Sequence, residues 1–184
     1  VEVVEIPLCK NTDNIHELAG IIDNAMANYP NASLVIDANG AGRGLAQHLT
    51  SKGLFYTEVH WGGQCFSNDA RKHYANKRSQ AIVCMTRAAA GGRLKIMDKR
   101  NKIKVTEQIT RLPYSFDDHT RYWVMPKEQM KAKRGLKSPD VADALAFLFL
   151  DGIYYVTAHE GGIKQVTQEV EDSFDEMEKM FENA

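Results

Sequence analysis

The sequence predicts an α/β domain. Short apolar stretches alternate with helically periodic ones through the first third of the chain, one apolar stretch ends in a carboxylate beside a glycine-rich turn, and a long amphipathic segment is stopped by Gly91-Gly92.

In chain order, Val1 to Leu8 reads as a strand rich in β-branched residues. Asp13 to Tyr29 reads as a helix, with Ile15, Leu18, Ala19, Ile22 and Met26 at three- and four-residue spacing. Ser33 to Asp37 is a short buried strand, and the turn Ala38-Asn39-Gly40-Ala41-Gly42-Arg43-Gly44 leads into a helix from about Leu45 to Ser51. Phe55 to His60 is the next strand, and such alternation implies partly parallel pairing.

One long helix is expected from about Asn68 to Ala90, with Tyr74, Ala81, Ile82, Met85 and Ala89 inward. A strand over Arg93 to Met97, a polar turn at Asp98-Lys99-Arg100-Asn101, a helix over Val105 to Leu112 and a strand over Arg121 to Met125 follow. Lys127 to Lys137 is a basic loop or short helix. Ser138 then reads as the N-cap, with Pro139 at the first position, of a buried helix containing Val141, Ala144, Leu145, Phe147, Leu148 and Phe149. Past Gly152, Val166, Val170, Phe174, Met177 and Phe181 mark an amphipathic helix with an acidic outer face. Residues 1–152 are expected to form the domain and 153–184 an extension.

The composition is that of a globular chain, 43% apolar and 26% charged. No apolar run approaches the roughly 20 residues that span a bilayer, and no signal sequence opens the chain, so a soluble intracellular protein without a membrane partner is expected. Cys9, Cys65 and Cys84 are widely spaced and odd in number, which argues for free thiols over a disulfide framework or zinc knuckle. The net charge of −1 conceals an asymmetry: Arg71 to Arg134 carries 17 Lys/Arg against 5 Asp/Glu, while His159 to Ala184 carries 8 acids against 2 lysines. A basic middle suits a phosphate-backbone partner, and a solvated helix face is the plainer alternative. Arg71, Lys72, Lys77, Arg78 and Arg87 on the long helix, Lys99, Arg100, Lys102, Lys104, Lys131, Lys133 and Arg134 in the loops, and Arg43 are the candidate DNA contacts, with Lys131, Lys133 and Arg134 favoured for standing just before the helix at Ser138.

Carboxylates on rigid elements are what metal-assisted phosphodiester hydrolysis needs. Asp37 closes an apolar strand where open α/β sheets bind ligands, although a turn-capping role is the commoner use of such an aspartate. Asp140 and Asp143 are three apart and share a helix face. Asp140 suits the helix dipole, but Asp143 stands among Val141, Ala142, Ala144, Leu145 and Ala146, where a carboxylate is costly unless paired or metal-bound. Oxygen-only ligands favour Mg²⁺ or Mn²⁺ over zinc.

Leu34 to Gly44, a strand ending in Asp37 before a glycine-rich turn, resembles the second acidic motif of the nuclease domain of the large terminase subunit of tailed double-stranded DNA bacteriophages. Ser138-Pro139-Asp140-Val141-Ala142-Asp143-Ala144-Leu145 resembles that family's S-P-D-x-x-D-A-L signature, and Asn76 to Ala81 with Gly91 to Ile96 is similar to its intervening helix-then-strand stretch. The resemblance runs from about Val1 to Leu150. It implies an RNase H-like mixed sheet flanked by helices, related to RuvC. It implies a metal-dependent endonuclease that cuts concatemeric viral DNA during packaging, with Asp37 and Asp143 as catalytic metal ligands and Asp140 as an auxiliary one. Double-stranded DNA, the remainder of the large subunit with its ATPase domain, the portal and the small terminase subunit are the implied partners, and the host bacterial cytoplasm the implied location. The family's first aspartate has no match, since Glu2 and Glu5 stand too close to Asp37. Val1 to Leu8 therefore corresponds to the family's third strand, and the chain is expected to be a fragment whose own activity is open. No G-x-x-x-x-G-K-[ST] loop is present.

Two rival readings stand beside this one: a RuvC-like junction resolvase, and a DNA-holding or docking module without catalysis. The glycines at 40, 42 and 44 are a weaker match to a dinucleotide fingerprint, which requires glycine where Leu45 stands. His60, His73 and His119 form no ligand pattern, and Trp61 and Trp123 are expected in or near the core.

Overall fold

A computed structural model of the chain describes residues 1–7, 14–29, 32–39, 42–151 and 153. Two units are distinguished: Val1–Asp23 with Leu34–Ile153, and Asn24–Ser33 with Tyr154–Ala184. Of the second, the described part is the end of the first helix and the turn after it, where Tyr29 N–H donates to Ala25 O at 2.9 Å and Ala32 N–H to Tyr29 O at 2.9 Å. The expected acidic tail helix, Leu8, Cys9, Asp13, Gly40, Ala41 and Gly152 lie outside the described residues.

The elements in order are β1 (Glu2–Val3), α1 (Ile15–Asn28), β2 (Val35–Asp37), α2 (Gly42–Ser51), β3 (Thr57–Val59), α3 (Asn68–His73), α4 (Lys77–Ala90), β4 (Lys95–Ile96), α5 (Lys102–Thr110), β5 (Tyr114–Phe116), β6 (Tyr122–Val124), α6 (Lys127–Arg134) and α7 (Asp140–Ala146), which runs on as a 3₁₀ turn at Phe147–Phe149. The strands form three two-stranded ladders. β1 pairs with β4 and β2 with β3, both in parallel, and β5 pairs with β6 antiparallel. The mixed pairing and the flanking helices are those of the expected α/β class.

The long helix expected over Asn68 to Ala90 is two helices. Tyr74 bridges to Tyr122, and Ala75 N–H donates to Tyr122 O at 3.0 Å, which pulls the backbone out of helical register. Asn76 then caps α4 by accepting from Ser79 N–H at 2.9 Å. Strand β5, unanticipated from the sequence, joins β6 through a turn tied by Asp117. Burial works against the Asp117 charge, but hydrogen bonds from Arg121 and from His119 N–H outweigh it and hold the carboxyl below its usual range.

α4 is the axis of the main core. Its Ala81, Ile82 and Met85 are fully buried against Val59, Val105, Met130, Ala142 and Ala146. Fully burying a side chain the size of Ile82 or Met85 contributes about 1.5–3 kcal/mol. A smaller cluster of Ile36, Ala46 and Leu49, with Ile22 and Leu34 against it, seats α2 under β2. Trp61 joins the main core as expected and stacks on Phe147 at 4.4 Å. Cys65 is free and buried, and Cys84 free and partly buried. Ala144 and Leu148 are exposed, so the helix from Asp140 is buried along one face only.

Candidate active site

Asp37 ends β2, as the sequence indicates. Its Oδ1 accepts from Asn39 N–H at 3.0 Å and from Asn39 Nδ2 at 2.9 Å, which folds the chain sharply over the strand end. Asn39 Oδ1 in turn lies 3.5 Å from His60 Nδ1, so the ends of β2 and β3 are laced together. Gly42 opens α2 under this turn. A Cβ on Gly42 would lie 1.6 Å from the Asp37 carbonyl oxygen, so the return of the chain past Asp37 requires glycine here.

The loop after β3 delivers the start of α4. Lys77 N–H donates to Gly63 O at 3.0 Å and Arg78 N–H to Trp61 O at 3.1 Å. Arg78, expected as a DNA contact, is instead buried. Its Nε donates to Asp143 Oδ1 at 2.9 Å and its Nη1 to Met125 O at 2.9 Å. A surface cation would be solvated, whereas this one answers the buried carboxylate on α7.

α7 begins without the Ser138 cap expected for it. Ser138 Oγ donates to Asp140 Oδ1 at 2.6 Å, and the open N–H groups of Val141 and Ala142 both donate to Gln108 Oε1 of α5, each at 3.0 Å. A glutamine distant in sequence therefore closes the helix end that carries both aspartates. Asp140 is exposed and Asp143 is buried, and Lys127 joins them: its Nζ lies 3.4 Å from Asp140 Oδ1 and 3.0 Å from Asp143 Oδ2. Burial opposes the Lys127 charge, yet Asp143 first and Asp140 next raise its pKa above that of an ordinary lysine. Lys127 is the site residue that sequence reasoning missed. It is one of many cations in that stretch, and nothing local distinguishes it.

Asp143 Oδ2 is sealed from solvent and makes no hydrogen bond; the Lys127 contact is an ion pair away from hydrogen-bond geometry. A buried carboxylate oxygen met by Lys127 alone, beside a second carboxylate, suits a hard divalent cation. Among the described residues no group of three or more His, Cys, Asp or Glu side chains is placed to hold a metal, so Asp37 does not complete one cluster with Asp140 and Asp143. Asp140 and Asp143 are brought together by α7 and Lys127.

Of the remaining expected DNA contacts, Lys131, Lys133 and Arg134 are exposed on α6 and Arg43 is exposed on α2. Lys77 is partly buried, with Nζ 4.0 Å from the centre of the Phe66 ring. Among the described residues no helix is long and apolar enough to cross a membrane.

No family model matches the chain. In sequence it is 28% identical over 123 residues to a protein named "Probable terminase, large subunit" of Enterobacteria phage P7, a match covering 66% of this chain and 24% of the relative. The chain thus spans about a quarter of that relative's length. In structure it is similar to the nuclease domain of the large terminase subunit gp2 of bacterial virus Sf6, with TM-score 0.52 and 21% identity over 63% of this chain and 62% of that one. A lysine-to-alanine variant of that domain with manganese aligns at TM-score 0.55 and 23% identity, covering 62% of this chain and 64% of the other. The same variant with manganese and beta-thujaplicinol aligns at TM-score 0.61 and 20% identity, covering 79% and 75%. The chain has the RNase H-like fold of the phage terminase nuclease domain, as the motif resemblance implied.

Proposed function

We propose that the chain is the DNA-cutting part of a packaging terminase, a metal-dependent endonuclease that hydrolyses concatemeric viral double-stranded DNA in the cytoplasm of an infected bacterium. The observation that carries this reading is the buried Asp143 carboxylate, whose Oδ2 has no hydrogen bond and only the Lys127 ion pair, held beside Asp140 on a terminase-type fold. A carboxylate desolvated in that way is costly, and its use as a ligand gives the cost a reason.

In this reading Asp143 and Asp140 supply oxygen ligands from one helix face, and Asp37 at the end of β2, which the structure does not bring into their cluster, is the proposed further ligand. Mg²⁺ or Mn²⁺ is the cation that fits such donors. When bound, it would polarise the scissile phosphate and favour hydroxide as the attacking species. Arg78, itself anchored by donating to Met125 O, fixes the Asp143 carboxylate from the core side, so the donor is preorganised before any cation arrives. Lys127 offsets the mutual repulsion of the two carboxylates and is placed to face an incoming phosphate. Lys131, Lys133, Arg134, Lys77 and Arg43 are the proposed contacts to the duplex backbone. The rest of the large subunit, the portal and the small subunit are the proposed assembly partners.

The reading without catalysis, a DNA-holding module, is favoured by one observation: no cluster of three or more metal-ligating side chains exists among the described residues. Incubation with linear duplex and with a four-way junction, each in Mg²⁺, Mn²⁺ or EDTA, separates the readings. Metal-dependent cutting of linear duplex supports the terminase reading, preference for the junction supports a resolvase, and binding with no cutting supports the holding module.

A further inference from the structure

Beside Asp140 lies an open cleft of about 880 Å³, walled by α5, the turn from α6 to α7, and the segment after β1. Three lysines from three different parts of the chain line it: Lys104 of α5, Lys131 of α6 and Lys137 of the turn. Their convergence has a backbone cause. Gly135 adopts φ +62°, and its N–H and that of Leu136 return to Lys131 O and Met130 O at 3.1 and 3.2 Å, which ends α6 and turns the chain so that Lys131 and Lys137 line one cavity. Gln108 stands four residues after Lys104 on α5 and pins that helix to the start of α7, so the cleft wall and the aspartate helix are one rigid piece.

The charges inside the cleft are unequal. Among the described residues that line it, the acids are Asp140, which Lys127 and Ser138 already answer, and Glu5, and the cations are the three lysines. Lys133 and Arg134, although adjacent in sequence, do not line it. We infer that this cleft takes one sugar-phosphate strand of duplex DNA, gripped by Lys104, Lys131 and Lys137, and leads it to Asp140 and Asp143. The inference rests on the nuclease reading for the identity of the polyanion and goes beyond it in naming the track, in singling out Lys104 among the basic residues and in adding Lys137 to the grip. Lysine side chains that line one cleft from three segments suit a chain of regularly spaced phosphates, and such contacts position the duplex without reading its sequence.

The test is fluorescence anisotropy of a labelled duplex oligonucleotide titrated with the chain in EDTA over a series of NaCl concentrations. The Lys104→Gln, Lys131→Gln, Lys137→Gln triple variant is compared with wild type. A control triple, Lys52→Gln, Lys95→Gln, Arg111→Gln, removes equal charge from exposed positions outside the cleft. Each phosphate contact contributes about 0.9 to the slope of log affinity against log salt, so the cleft variant should lose about 2.7 of that slope and the control less than about 1. Glu5→Gln should tighten binding, a gain that misfolding does not mimic. Equal slope losses in the two triples, or weaker binding by Glu5→Gln, would overturn the cleft while leaving the nuclease reading intact. Absence of duplex binding by the wild type would overturn both.

Discussion

Arg78 and Asp143, 65 residues apart, meet in the core at 2.9 Å, and this pair fixes the aspartate helix to the central helix α4. Both side chains are nearly sealed from water, at 9% and 4% exposure. Removing one partner of such a pair strands a buried charge and costs about 3–5 kcal/mol, whereas replacing both by apolar groups of similar volume is often neutral. Arg78→Met should therefore lower the urea midpoint strongly, and Arg78→Met with Asp143→Leu should recover most of the loss while remaining inactive. A midpoint for Arg78→Met close to wild type would show that the Lys127 ion pair alone suffices to hold the Asp143 charge.

Gln108 makes a separable contribution. Gln108→Ala leaves Val141 and Ala142 N–H without their acceptor and should cost about 1–2 kcal/mol, with a larger proportional loss of cleavage because both aspartates ride on that helix end. Gln108→Glu retains an oxygen acceptor, favoured by the helix dipole, and should restore both stability and cleavage. Failure of the glutamate variant to restore cleavage would argue against a positioning role.

Gly42 at the start of α2 and Gly20 inside α1 should respond with opposite signs. A Cβ at Gly42 meets the Asp37 carbonyl, so Gly42→Ala should destabilise by more than the roughly 1–3 kcal/mol of ordinary overpacking and disturb the Asp37 turn. Gly20, inside α1, has open space around its Cβ position, and Gly20→Ala should stabilise by about 0.4–1 kcal/mol. Thermal unfolding of the two variants side by side checks both.

Acid sensitivity should report Asp98. Hydrogen bonds from the Asn101 side chain and from Ile6, Asn101 and Arg100 N–H outweigh desolvation and hold its carboxyl below the ordinary range. A carboxylate whose folded pKa is depressed stabilises the fold above its unfolded pKa, and that contribution is lost as pH falls through the folded pKa. Asp98→Asn should lower stability at neutral pH and flatten the decline of stability below about pH 4. An unchanged acid limb in chemical denaturation would remove Asp98 from the account.

What could be read in the sequence was what local pattern encodes. Val35-Ile36 before Asp37 marks a strand end, and Asp143 among alanines, valine and leucine marks a buried carboxylate. The break between α3 and α4 was not legible, because no proline or glycine stands at Tyr74-Ala75-Asn76 and the cause is the bridge to Tyr122, 48 residues away. Arg78 misled for a similar reason: its sequence neighbours are polar, and only folding brings Asp143 to it. Gln108 and Lys127 gave no signal because each acts on α7 from another helix. The motif aspartates were visible one by one, and the cations and amide that hold them were not.

Cleavage of covalently closed plasmid tests the central claim most directly, with wild type, Asp143→Asn and Asp37→Asn compared in Mn²⁺ and in EDTA. The account predicts relaxation and linearisation by the wild type in Mn²⁺, none in EDTA, and none by either variant even though both still bind the plasmid. Cutting by Asp143→Asn at the wild-type rate would contradict it.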